Sequence, residues 1–396
     1  MQAHTFLIQL VLILLAARVV GELAAWCKVP SVVGEVVAGI ILGPSVFGWV
    51  QLTDPIHLLA QIGIILLLFE VGLETDVGKL TSSGLKASIV ALGGVVLPFI
   101  GGFWVGYSWF QCTLLESLFI ASTLTATSIG ITLRVLRDLH KQNSSEAQVI
   151  IGAAVLDDII GIVLLSVLFE FSTAGQVNWF NAGSVLLFIL AFILLAPIAA
   201  KCVSITIKKW ASKSEIPGLL PTAIISLILF FAWFAHELGA PELLGGFAAG
   251  LALSPQFILP FSTKSHQAPE FTHRVEKEMR SIIHFFTPLF FVAIGLSLNL
   301  RAINWSSDYI WAVSGSLTVV AIIGKILSGF LLFKESFRSK LIIGMAMVPR
   351  GEVGLIFANV GLTAGVLNDA LYTALILVII FTTFAAPFAL RSIRKG

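Results

Sequence analysis

Apolar positions along this chain come in long blocks. They show neither the alternation of a half-buried strand nor the narrow stripe of a soluble helix. Apolar runs of about 17–25 residues are long enough to cross a hydrocarbon layer of ~30 Å. Such runs lie near 5–27, 30–49, 55–75, 85–108, 113–136, 147–170, 179–207, 218–236, 239–254, 281–299, 305–333, 339–362 and 370–391. The pattern predicts an all-α polytopic membrane protein of ~13 transmembrane helices. The connections between the runs are too short to hold a soluble domain.

Composition agrees. Of 396 residues, 57% are hydrophobic and only 12% charged, with a mean hydropathy of +0.99. A soluble domain carries about 25% charged residues, so this chain cannot cover a water-facing surface of its size. The first apolar run is too long for a signal-peptide core, has no basic segment before it and contains Arg18 and Glu22, so it is expected to stay in the mature protein. Cys27, Cys112 and Cys202 lie far apart, without the spacing of a disulfide framework or a zinc site.

Charge placement sets the expected orientation. With the N-terminus outside, alternate connections hold Lys28; Lys79 and Lys86; Arg134, Arg137 and Lys141; and Lys201, Lys208, Lys209 and Lys213. Further along they hold Lys264, Arg274, Lys277 and Arg280; Lys334, Arg338 and Lys340; and Arg391, Arg394 and Lys395. The opposite side has Arg301 alone. Cytoplasmic loops carry the excess of Lys and Arg, which puts the C-terminus in the cytoplasm. Basic residues sorted by membrane side do not form a nucleic-acid patch, so no nucleic-acid partner and no soluble partner is implied. The net charge of +2 adds nothing to that.

Three basic residues fall inside spans: Arg18, Lys325 and Arg350. Arg18 precedes Glu22 by one turn, so snorkelling or an i,i+4 pair accounts for it. A charge at mid-bilayer is otherwise costly, about 2.5–3.5 kcal/mol on insertion scales, and marks a functional site. The sixth span reads IIGAAVLDDIIGIVLL from Ile150, with Asp157 and Asp158 about 11 Å deep at 1.5 Å per residue. Adjacent helical residues point ~100° apart, so one carboxylate can face a buried partner while the other faces a water-filled cavity. A carboxylate in such a place can take a proton or a bare cation, but not both.

The fifth span carries hydroxyls at Ser122, Thr123, Thr125, Thr127, Ser128 and Thr132, together with Gly130. Hydroxyls and freed carbonyls of a locally unwound helix coordinate hard cations, although hydroxyls also serve as packing contacts between membrane helices. The twelfth span contains PRGEVGL from Pro349, where proline and Gly351 break the helix. Arg350 and Glu352 are then placed to meet the exposed half-helix ends, arginine at a C-terminal one and glutamate at an N-terminal one. Lys325, in the eleventh span, has no acid nearby in its own helix, so its natural partner is Asp157 or Asp158. The two interrupted spans are seven apart and cross in opposite directions. That is the pattern of inverted repeats whose broken helices meet near the midplane, with spans 1–6 and 8–13 as the repeats and span 7 as linker.

Several segments together carry a family likeness: PSVVGEVVAGIILGP from Pro30, LLFEVGLE from Leu67, ATSIGITLRVL from Ala126, the Asp157–Asp158 pair, and PRGEVGL from Pro349. In this order the chain resembles, over nearly its whole length, the bacterial sodium/proton antiporters of the monovalent cation/proton antiporter superfamily. The resemblance implies a homodimer in the bacterial inner membrane, with a panel (dimer) domain and a mobile core that moves in an elevator-like fashion. On this chain the panel would be residues 1–80 and 215–300, the core 81–175 and 301–396, and the linker helix 176–214. It implies Asp158 as the main cation and proton site, with Asp157 also on the sodium ion and paired with Lys325. Thr127 and Ser128 would border the ion, and Thr125, Arg350 and Glu352 would support the crossing. Members with the Asp-Asp pair and the lysine are generally electrogenic, so net charge movement is expected, with no cofactor beyond the transported Na+ or Li+ and H+.

Potassium-efflux members carry a long cytoplasmic nucleotide-binding extension, whereas this sequence stops five residues after Arg391, which limits the likeness to them. Glu70 is an extra acid with no assigned role. The connection from Pro255 to Arg280 holds His266, His273, Glu270, Glu276 and Glu278, and reads as a solvated loop or a pH sensor. A channel would want rings of carbonyls or charges along a water path. An intramembrane aspartyl protease would need two aspartates facing each other to share a proton, whereas these two diverge on one helix. A potassium/proton exchanger remains a rival, because sequence does not measure the radius of the site.

Overall fold

The computed structural model describes residues 2–27, 29–74, 83–138, 141, 144–174, 179–211, 218–254 and 269–395, and all regular structure among them is helical. The helices are α1 (Gln2–Trp26), α2 (Ser31–Leu42), α3 (Asp54–Glu74), α4 (Gly84–Trp104), α5 (Leu114–Thr123), α6 (Ile129–Asp138), α7 (Ser145–Ala174) and α8 (Trp179–Ala211). They continue with α9 (Leu219–Glu237), α10 (Glu242–Leu253), α11 (Pro269–Leu296), α12 (Asp308–Phe330), α13 (Phe337–Ala346), α14 (Glu352–Thr363) and α15 (Asp369–Lys395). Among the described residues, nine helices are long and apolar enough to cross a membrane, and four shorter ones of 10–17 residues are also apolar.

The fifth and twelfth predicted spans are each two half-helices. α5 stops at Thr123 and α6 starts at Ile129, while α13 stops at Ala346 and α14 starts at Glu352. Other boundaries depart from the hydropathy reading for local reasons. The second span was expected to reach residue 49, yet α2 ends at Leu42, where the Gly43 N–H closes on Gly39 O at 2.8 Å. Pro44 follows, and proline disfavours helical geometry in the residue before it. The fourth span leaves α-geometry in a π-turn over Val105–Trp109. Part of the expected loop before residue 281 is helix from Pro269 onward, with Arg274 Nε 2.9 Å from Glu278 Oε1 one turn away. Lys201, expected in a cytoplasmic connection, is fully buried within α8 and donates to Ser254 O at 3.5 Å, at the C-terminal end of α10.

The chain forms two compact units. One comprises Met1–Gln51, Ser83–Ala182 and Ile294–Gly396. In it α4 packs along α12 and α7, α12 packs on α13 and α15, and α1 packs on α2. The α4–α12 approach is close: a Cβ on Gly324 would lie 2.9 Å from the Pro98 ring, and one on Gly101 would lie 2.6 Å from Val320 Cγ1. The other unit comprises Leu52–Ser82 and Gly183–Ala293, in which α10 packs against both α3 and α9. Glycines let it do so, since a Cβ on Gly246 would overlap the Ile65 carbonyl and one on Gly245 that of Phe231. Glu70 lies buried in α3 of this second unit. Arg18 and Glu22 sit on the exposed side of α1.

Candidate functional site

The first unit assembles most of the residues singled out by chemistry. Asp157 and Asp158 lie mid-way along α7, both buried, at 3% and 5% exposure. Lys325 of α12 is fully buried and points its ammonium at Asp157, with Nζ 3.3 Å from Oδ1 and 3.4 Å from Oδ2. The ammonium is also within electrostatic range of Asp158 and Arg350. Adjacent helical side chains fan ~100° apart, and Asp157 is the aspartate that makes the hydrogen-bonded pair with Lys325, as the resemblance implies.

Beside these charges the two broken helices cross. Their extended segments join through the Ser128 N–H, which donates to Pro349 O at 2.8 Å. Thr127 Oγ1 donates to Met347 O at 3.2 Å, and Thr132 Oγ1 donates to Ala346 O at 2.6 Å. A helix C-terminus leaves carbonyls without intrahelical donors, and buried unmet carbonyls are costly. Arg350, at zero exposure, meets that need on both half-helices. Its Nη1 donates to Val348 O at 2.9 Å and Met347 O at 3.4 Å at the end of α13, and its Nη2 donates to Leu124 O at the end of α5. The Arg350 carbonyl in turn accepts from Thr383 Oγ1 of α15.

Thr125 acts within its own half-helix, donating to Ser122 O at 2.8 Å. Ser128 Oγ is buried with no hydrogen-bond partner among the described residues. A Cβ on Gly351 would fall 2.6 Å from that oxygen, so the two segments touch here because one residue has no side chain. Glu352 opens α14, and its side chain lies outside the described residues. His266 also lies outside them, and His273 is an exposed residue of α11.

Sequence reasoning did not assign Thr383, whose only signal was a Thr382–Thr383 pair in an apolar run. Nor did it anticipate that Arg134 of α6 reaches α2, with Nη2 3.6 Å from Glu35 Oε1 and 3.2 Å from Ser31 Oγ. Among the described residues no three His, Cys, Asp or Glu side chains gather as in a resident metal centre. The described residues bring together the Asp157–Lys325 pair and, around Arg350, the ends of two broken helices with the hydroxyl of Thr127 bonded between them.

Residues 10–395 match the family model described as sodium/hydrogen exchanger, transmembrane. A Na(+)/H(+)-K(+) antiporter, GerN of Bacillus cereus, is 35% identical over 386 residues, covering 96% of this chain and 94% of the relative. The high-affinity Na(+)/H(+) antiporter NhaS3 of Synechocystis is 32% identical, covering 98% and 90%. A Na(+)/H(+) antiporter of Enterococcus hirae is 30% identical, covering 98% and 97%. Among solved structures, the sodium proton antiporter MjNhaP1 from Methanocaldococcus jannaschii superposes with a TM-score of 0.68 over 99% of this chain and 97% of that one, at 18% identity. That likeness is one of fold.

Proposed function

The chain belongs to the sodium/hydrogen exchanger family, and from that premise we propose that it is an electrogenic Na+(Li+)/H+ antiporter that uses proton influx to export sodium. The observation that carries this reading is the buried Asp157–Lys325 pair with Asp158 beside it, next to two broken helices that cross. Asp158 is the exchange site. It holds either a proton or a sodium ion, with Asp157, Thr127 and Ser128 lending oxygens to the ion. The proton of the Thr127 hydroxyl is committed to Met347 O, which leaves its lone pairs for a cation. Arg350, Glu352 and Thr125 keep the crossing intact.

In the proton-loaded core Lys325 pairs with Asp157. Sodium arriving at Asp158 and Asp157 competes with the ammonium and favours loss of its proton. Proton and sodium exclude each other from the carboxylates, and that exclusion is the coupling. Each unit of net charge moved gains about 2.3 kcal/mol per 100 mV of membrane potential, so a negative interior drives protons in and sodium out.

The architecture belonging to this reading is thirteen crossings in two inverted repeats, a panel of residues 1–80 and 215–300, a linker helix 176–214, and a core of 81–175 and 301–396 that moves as an elevator. The protein works as a homodimer in the bacterial inner membrane, N-terminus outside and C-terminus inside. A potassium/proton exchange reading is favoured by one finding: GerN's name includes K(+).

The deciding experiment is current and internal pH in proteoliposomes under sodium, lithium and potassium gradients, wild type against Asp158→Asn. Sodium- or lithium-driven proton movement with current, lost in the variant, supports the proposal. Exchange with potassium alone, or uncoupled cation flux, replaces it. Lys325→Gln is expected to lose current more readily than exchange, and full current in that variant would refute the stoichiometry.

A further inference from the structure

Lys325 reaches Asp157 across a surface that belongs to a third helix. On α4, a Cβ at Gly94 would lie 3.3 Å from Lys325 Nζ, 3.5 Å from Lys325 Cδ and 3.6 Å from Ser328 Oγ. The lysine stem therefore lies along the bare backbone of α4, with its charged end over Gly94. Close packing continues along the same seam. One turn on, Gly324 packs on Pro98, and Gly101 faces Val320, so α4 and α12 are held at close range on that side of the lysine. The pair itself is long for a charge-assisted bond, 3.3–3.4 Å against about 2.7–2.9 Å. Its geometry is set by what surrounds the ammonium rather than by the pair's own optimum.

We propose that Gly94 is a positioning residue of the exchange reaction, its missing side chain forming the seat that holds the Lys325 ammonium against Asp157. It acts only through the lysine and touches no ion. A methyl group at this position pushes the ammonium by a few tenths of an ångström and loosens its hold on Asp157. Sodium then has a weaker competitor, and the apparent affinity for sodium moves in the direction that Lys325→Gln moves it. Because the displaced atom is the end of a flexible chain, the fold survives.

This inference rests on the sodium/proton reading above, and the test separates the two. The half-maximal sodium concentration for exchange in proteoliposomes is measured for wild type, Gly94→Ala, Lys325→Gln, the double variant, and Gly101→Ala. The last variant is a steric control: its new Cβ would meet Val320 Cγ1 at 2.6 Å on the same seam, away from the lysine. Gly94→Ala is expected to shift the half-maximal sodium concentration about threefold or more in the wild-type background and to leave it unchanged in the Lys325→Gln background, the signature of two residues that act as one. Gly101→Ala lowers the unfolding midpoint without that shift. Sodium-dependent thermal stabilisation of the purified protein gives the same comparison where transport is too weak to fit. Equal shifts in both backgrounds, a shift opposite to that of Lys325→Gln, or the same profile for Gly94→Ala and Gly101→Ala would overturn the proposal. A wild type that neither exchanges nor is stabilised by sodium would instead overturn the functional reading and this inference with it.

Discussion

The buried pair of Asp157 and Lys325 makes a quantitative claim about stability. Both side chains are essentially without solvent contact, at 1% and 0%, and the charges stand 3.3 Å apart. With an effective dielectric of ~20, attraction at that separation is about 5 kcal/mol. Removing one partner of a buried pair costs about 3–5 kcal/mol, because the other charge is left behind, whereas removing both is often close to neutral. The two single changes are not equivalent here. In Asp157→Asn, the ammonium still has Asp158 within electrostatic range. In Lys325→Met, two adjacent carboxylates are left without the ammonium, with the Arg350 guanidinium within electrostatic range of Asp157. Lys325→Met is therefore expected to be the more destabilising. The double variant should recover ~2–4 kcal/mol relative to it. Thermal unfolding of the purified protein in one detergent and at one pH, for wild type and all three variants, measures the ordering. Additivity within ~0.5 kcal/mol would mean that the two residues do not interact, and would refute the pair as the organising charge of the site.

Arg350→Met should strip donors from Leu124, Met347 and Val348 at once and lower the unfolding midpoint strongly. Hydrogen bonds to a charged group contribute about 1.5–3 kcal/mol each, and Arg350→Lys, with a single point charge, should rescue only in part. Gly351→Ala puts a carbon 2.6 Å from Ser128 Oγ and should reduce sodium-driven exchange more than it reduces yield. Equal losses would show that the contact matters only for folding. Glu35→Gln leaves Arg134 beside Ser31 on α2, and the Glu35→Arg/Arg134→Glu exchange should restore part of the lost midpoint. By contrast, Lys86→Gln removes a pair with Glu335 that is 50% and 29% exposed, and should change stability by no more than ~1 kcal/mol.

Much of this was legible because membrane insertion writes strong signals. Long apolar runs fix helices, and charges that interrupt them stand out against their cost. Asp157, Asp158, Lys325 and Arg350 could be picked by eye for that reason, and Pro349 with Gly351 marked the break in the twelfth span. Less legible were features decided by neighbours distant in sequence. Lys201 reads as a loop lysine by its nearness to Lys208 and Lys209, yet the end of α10 lies against it and gives it an acceptor. Thr383 reads as one more hydroxyl in an apolar helix, until Arg350 O meets it. Arg134 reads as positive-inside charge, whereas its guanidinium reaches across to Glu35. In each case the local pattern was right about polarity and silent about the partner.

The charges at the crossing also define what the proposed stoichiometry requires. Each helix end carries roughly half an elementary charge, negative at the C-terminus and positive at the N-terminus. The C-terminal ends of α5 and α13 meet the one guanidinium of Arg350, so about one negative charge is balanced by one positive. The N-terminal ends of α6 and α14 contribute about one positive charge of their own. The start of α14 approaches α7, since one turn beyond Asp158 a Cβ on Gly161 would be 3.8 Å from Val353 Cγ1. If Lys325 keeps its proton throughout, a proton or a sodium ion on Asp158 leaves the same net charge, and the cycle is one for one. If the lysine gives up its proton when sodium binds, the sodium-loaded core carries one charge fewer, two protons return for each sodium ion, and the half-helix ends offset part of the carboxylate charge during the crossing. Electrogenicity thus depends on how firmly one ammonium is held to Asp157, which is set by the distance between α4, α7 and α12. A packing change that displaces the ammonium itself and leaves the carboxylates untouched should therefore alter the charge moved per sodium ion, measured as the reversal potential of the sodium-dependent current. A reversal potential indifferent to all such changes would mean that the lysine takes no part in the coupling.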